Sequence, residues 1–107
     1  MQRICIRFYV TESQKHGGKL VYEWLLERAH ALGVPGGTAL RAIAGYGRHG
    51  VLHEEGFFEL AGDVPVEIEF VTDKRQADEL VSLLHAENLQ LFYLRMPVET
   101  GITGNGQ

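Results

Sequence analysis

Cysteine is almost missing from this chain: Cys5 is the only one in 107 residues. No intrachain disulfide can form, so packing and hydrogen bonds must hold the fold, and a reducing cytoplasm is the expected setting. Long apolar runs are missing as well. None approaches the roughly 20 residues that span a bilayer. Met1 to Val10 alternates polar and apolar residues instead of building the continuous apolar core of a signal peptide. Positive charge is scarce, with 10 Lys and Arg against 14 Asp and Glu and a net charge of -4. That balance speaks against nucleic acid as a partner, while a local group of Arg and Lys remains able to hold a small anion. No linker and no low-complexity block interrupts the chain. What is present is an ordinary globular composition, 45% hydrophobic and 22% charged. The expectation is one domain over residues 1–98 with a flexible, glycine-rich tail over 99–107. A core this small gains from association with copies of itself.

Strict alternation over Arg3 to Val10 marks a strand, with Ile4, Ile6, Phe8 and Val10 on one face and Arg3, Cys5, Arg7 and Tyr9 on the other. From Lys19 to Leu32 the apolar residues Leu20, Val21, Trp24, Leu25, Ala29 and Leu32 recur at helical spacing, and Gly33 stands where a left-handed cap is needed. Thr38 to Ala44 reads as a second strand, with Leu40 and Ala42 on one side and Arg41 and Ile43 on the other. Pro65 to Val71 reads as a third strand, with Glu67 and Glu69 outward. Thr72 or Asp73 is the candidate N-cap of a second helix carrying Ala77, Leu80, Val81 and Leu84, closed near Asn88. Leu89 to Met96 is the fourth strand, ended by Pro97. The order strand, helix, strand, strand, helix, strand is the ferredoxin-like βαββαβ arrangement of the α+β class: an antiparallel sheet with both helices on one face. Its other face mixes Arg3, Cys5, Arg7 and Tyr9 with Glu67 and Glu69, which suits contact with other subunits, or else a solvated sheet face.

The second strand runs into Gly45-Tyr46-Gly47-Arg48-His49-Gly50, the most informative stretch of the chain. Glycine amides here form an anion-binding concavity or simply permit a twisted hairpin. Arg48 offers a fixed charge and Tyr46 a stacking face. Gly45, Gly47 and Gly50 fit a dinucleotide fingerprint in spacing, yet no helix follows, so that mechanism is rejected. A second candidate is His16-Gly17-Gly18-Lys19, where Lys19 at the start of a helix would favour an anion. His49, His53, Glu54 and Glu55 are close in sequence and offer an alternative reading as a divalent-metal module. Catalysis has little support. Cys5 has no histidine near it in sequence, and Arg3 and Arg7 neutralise Glu67 and Glu69, so no enzyme activity is expected. No cofactor is specified.

Several runs together resemble the domain-of-unknown-function family 190, which is regarded as PII-like. They are Gly18-Lys19 with Tyr22-Glu23, Gly33-Val34-Pro35-Gly36-Gly37-Thr38, Arg41-Ala42-Ile43-Ala44-Gly45-Tyr46-Gly47, and Leu60 with Asp63-Val64-Pro65-Val66-Glu67-Ile68. The resemblance spans roughly residues 3–96. It implies a ferredoxin-like fold, a homotrimer, and a long loop between the second and third strands that contacts a protein partner such as a membrane transporter. It also implies a small anionic effector, typically an adenine nucleotide, in clefts between subunits. The ligand-binding set that follows is Gly45, Tyr46, Gly47, Arg48, Lys19 and Arg41. One departure stands out. Ala86-Glu87-Asn88-Leu89-Gln90 lacks the glycine-rich phosphate-binding turn of PII proteins, and the last strand offers only Arg95, so triphosphate binding in the PII manner is not expected there.

Overall fold

The computed structural model describes residues 2–45 and 64–104. Along them run β1 (Arg3–Thr11), β2 (Lys15–His16), β3 (Lys19–Leu20), α1 (Val21–Ala31), β4 (Gly37–Arg41), β5 (Pro65–Thr72), α2 (Lys74–Ala86) and β6 (Phe92–Val98). The four longer strands form one sheet in the order β4-β5-β1-β6, and every neighbouring pair is antiparallel. Both helices pack on the same face, which makes this the ferredoxin-like α+β fold.

Period-2 patterning places the core. Ile6, Phe8 and Val10 of β1 are buried together with Val66, Ile68 and Phe70 of β5. Onto them α1 lays Val21, Leu25 and Ala29, spaced four apart, and α2 lays Ala77, Leu80 and Leu84. Each large side chain removed from water here contributes roughly 1.5–3 kcal/mol. Phe8 and Phe70 meet edge to face, with ring centres 6.3 Å apart.

Asp73, one of the two candidate caps, is the N-cap of α2. Its carboxylate accepts from the Gln76 backbone amide at 2.7 Å, and the Gln76 side chain accepts from the Asp73 amide at 3.1 Å. Thr72 instead completes the sheet, donating its hydroxyl to the Ile4 carbonyl at 3.2 Å. At the far end of α2, Asn88 takes a φ of 58° and the Leu89 amide reaches back to the Leu84 carbonyl at 3.0 Å. Asparagine thus fills the left-handed seat that glycine usually takes, and a turn without glycine still closes the helix.

Three elements differ from the sequence reading by more than one residue. The first helix starts at Val21 rather than Lys19, because Lys15 to Leu20 fold back as a hairpin through Gly17 and Gly18, at φ of 61° and 82°. The second strand ends at Arg41, short of Ala44. The last strand is displaced to Phe92–Val98, since Leu89 and Leu91 pack against the core from the preceding turn. Pro97 lies inside this strand, opposite Ile4, and does not end it. An outermost strand tolerates a proline, whose missing amide can face away from the ladder.

Candidate functional site

The register sets the site's position. Leu40, Glu67, Tyr9 and Phe92 form one row across the sheet. The last residues of β1 and β4 and the first of β5 and β6 therefore share one end of the sheet. The β2–β3 hairpin, the start of α1 and the turn after α2 gather at the same end.

Arg41 closes β4 there. It ion-pairs through Nη2 with Glu12 Oε2, from the turn after β1. That hydrogen bond, then the Glu12 charge and Tyr22 on α1, hold the guanidinium still more firmly in its charged form than usual. The Arg41 side chain remains 67% exposed. Beside it the Ala42 amide donates to the Pro65 carbonyl at 2.9 Å and the Glu12 amide to the Val64 carbonyl at 2.7 Å. Gly45, four residues on, is the last described residue on this side of the β4–β5 connection. Tyr46, Gly47 and Arg48 of the expected ligand set lie outside the described residues, as do His49, His53, Glu54 and Glu55 of the metal alternative. Among the described residues, no three His, Cys, Asp or Glu side chains come together to hold a metal ion.

Lys19 sits on β3, not on a helix N-terminus. Its ammonium meets Glu27 on α1 at 2.5 Å and stays about half exposed. His16, its partner across the hairpin, bonds Glu87 at the end of α2 through Nε2 at 2.8 Å and packs edge-on against Trp24. Arg28 lies over the same indole at 5.7 Å. Trp24 is thus partly packed on the core and partly covered by the His16 ring and the Arg28 guanidinium. The His16 run works as a brace joining the hairpin to both helices.

A second surface is the sheet face turned away from the helices. Arg7 stands at its centre, 3.5 Å from Glu69 and 3.9 Å from Glu67, so the expected cross-strand pairing is made within the chain. A hydrogen bond to Tyr9 holds Arg7 in its charged form against the cost of partial burial, and both carboxylates add to it. Cys5 donates its thiol to Glu69 at 3.2 Å. Burial first, then the hydrogen bond and charge of Glu69, push that thiol up. Around this ion-paired patch the apolar side chains of Leu40, Val71 and Phe92 are exposed. A cleft of about 410 Å³ opens elsewhere, between the end of α2, the turn after it and the start of β6, lined by Leu84, His85, Leu89 and Phe92 among others. No lysine or arginine lines the cleft among the described residues, so its walls do not suit an anion.

Glu12 is the residue the sequence reading missed. An acid in a Thr-Glu-Ser turn carries no local signal, and only the sheet topology brings it to Arg41, 29 positions away. Among the described residues, no helix is long and apolar enough to cross a membrane.

Residues 3–92 match the DUF190 family, described as "Uncharacterized ACR". A UPF0166 protein from Aquifex aeolicus is 33% identical over 97 residues, covering 83% of this chain and 92% of that protein. A UPF0166 protein from Methanocaldococcus jannaschii is 30% identical over 80 residues, covering 75% and 73%. A solved structure of CPII bound to ADP and bicarbonate, from Thiomonas intermedia K12, is similar with a TM-score of 0.63. It is 18% identical, and the match covers 95% of this chain and 91% of that one. At that identity the likeness is one of fold.

Proposed function

Because the chain belongs to the DUF190 family and shares its fold with a PII protein, we propose that it is a PII-like regulatory module and not an enzyme. It assembles as a homotrimer in the cytoplasm and binds a small anionic effector, such as an adenine nucleotide, in clefts between subunits. Gly45, Tyr46, Gly47, Arg48, Lys19 and Arg41 form the ligand-binding set. The connection between β4 and β5 then engages a protein partner, for instance a membrane transporter. Effector binding acts by favouring one state of that connection over another.

The observation that carries this reading is the bare sheet face. It presents Leu40, Val71 and Phe92 around an Arg7 already paired with Glu67 and Glu69 inside the chain. Burying that apolar surface against a second copy drives association, and contact between copies creates the clefts the effector needs. Arg41 supports the location: it is an exposed, permanently charged donor at the root of the β4–β5 connection. The relative bound to ADP and bicarbonate adds a choice of first ligands.

The test is calorimetry of the full chain with AMP, ADP and ATP, repeated on Arg41→Ala and Lys19→Ala. The expected result is saturable binding of at least one nucleotide, weakened by each substitution, with a matching rise in melting temperature for the wild type. Absence of heat and of any thermal shift with all three nucleotides would overturn the effector reading.

A further inference from the structure

Glu12 touches both roots of the β4–β5 connection. Its backbone amide holds Val64, the last residue before β5, and its carboxylate holds Arg41, the last residue of β4. Next to this pair the Ala42 amide and Pro65 carbonyl join the same two roots directly. We propose that Glu12 is a built-in competitor for the effector: its carboxylate occupies Arg41 in the empty protein and is displaced when an anion binds.

This rests on the reading that Arg41 takes the effector's negative charge. An arginine keeps its charge across the accessible pH range, so its fork always seeks an acceptor. In the absence of ligand, Glu12 supplies one. The Arg41 side chain is 67% exposed and that of Glu12 35%, so water still reaches the pair and a single carboxylate holds the guanidinium only weakly. A phosphate group brings more charge and a bidentate match, so it wins the exchange. Displacement has a consequence at the roots. Once its carboxylate is released, Glu12 no longer ties the end of β4 to the turn after β1, while its backbone bond to Val64 remains. Occupancy of the site is thereby coupled to how firmly the two ends of the connection are held together.

The experiment compares wild type, Glu12→Gln and Arg41→Ala by calorimetry with ADP, with pyrophosphate and with uncharged adenosine. Glutamine keeps the backbone bond and the shape but gives up the competing charge. Glu12→Gln is expected to bind ADP and pyrophosphate up to roughly fivefold more tightly, the range set by one exposed ion pair. Adenosine affinity should not change, and Arg41→Ala should erase the gain in the double variant. Hydrogen exchange at the Ala42 amide is expected to quicken on ADP binding to the wild type and to be already quick in unliganded Glu12→Gln. Equal or weaker ADP binding by Glu12→Gln would overturn the competitor role and leave the effector reading standing. Failure of ADP and pyrophosphate to bind either protein would overturn the competitor role, and the same failure with AMP and ATP would overturn the effector reading too.

Discussion

Gln76 near the start of α2 donates its side-chain amide to the carbonyl of Gly33, just past the end of α1, at 3.0 Å. The same side chain closes the capping box with Asp73, and its own backbone amide is bonded to the Asp73 carboxylate. One 8%-exposed residue therefore fixes the start of one helix and the exit from the other. Gln76→Ala leaves the Gly33 carbonyl and the Asp73 amide without these partners. The expected loss is about 1–3 kcal/mol, read from urea unfolding at constant slope. Gln76→Glu should cost a similar amount, because a carboxylate cannot donate to Gly33.

Gly37 lies against the ring of Phe70. A methyl group added there would stand 2.4 Å from Phe70 Cε1 and 3.1 Å from Leu26 Cδ2. Phe70 is 1% exposed and packed edge-on to Phe8, so it has nowhere to move. Gly37→Ala is expected to destabilise the fold by roughly 1–3 kcal/mol, seen as a fall in melting temperature without loss of helix signal. Gly36, with open space around it, is the control: Gly36→Ala should be close to neutral.

Cys5 should resist alkylation at pH values where an ordinary thiol, with a pKa of about 8.5, already reacts. Burial, the Glu69 hydrogen bond and the Glu69 charge all favour the protonated thiol, and Arg7 opposes them. Glu69→Gln is expected to move the midpoint of iodoacetamide reaction to lower pH. The sign for stability follows from the same shift. The native thiol holds its proton more tightly than the unfolded one, so its contribution is full below the unfolded value and is lost as pH rises through the native one.

Much of this fold was legible in the chain because its long elements obey strong periods. Ile6, Phe8 and Val10, or Ala77, Leu80 and Leu84, declare a buried face whatever surrounds them. Asp73 and Gly33 announced helix ends through well-defined capping chemistry. The β2–β3 hairpin was not legible, since two-residue strands have no period and Lys19-Leu20 continues the helical spacing of α1. Leu89 and Leu91 imitated a strand because apolar turn residues that fold onto a core alternate as strands do. At the candidate site, the roots at Arg41 and Gly45 were visible as a strand running into glycines. Glu12 was not, because its partner is chosen by the crossing of strands far apart in sequence.

Leu40 lies opposite Glu67 on the bare face and is 49% exposed. Leu40→Lys sets an ammonium across from a carboxylate, which the isolated chain accommodates in water. Between two subunits the same charge would be stripped of solvent. The variant is expected to remain folded by circular dichroism, with a melting temperature that no longer depends on protein concentration.

The most direct measurement is the native mass of the purified wild-type chain across a dilution series, by light scattering or native mass spectrometry. Three chains per particle, persisting to low micromolar concentration and reduced to one by Leu40→Lys, is the expected result. A particle of one chain at every concentration would contradict the account, because without neighbouring subunits neither the clefts nor the use of the bare sheet face survives.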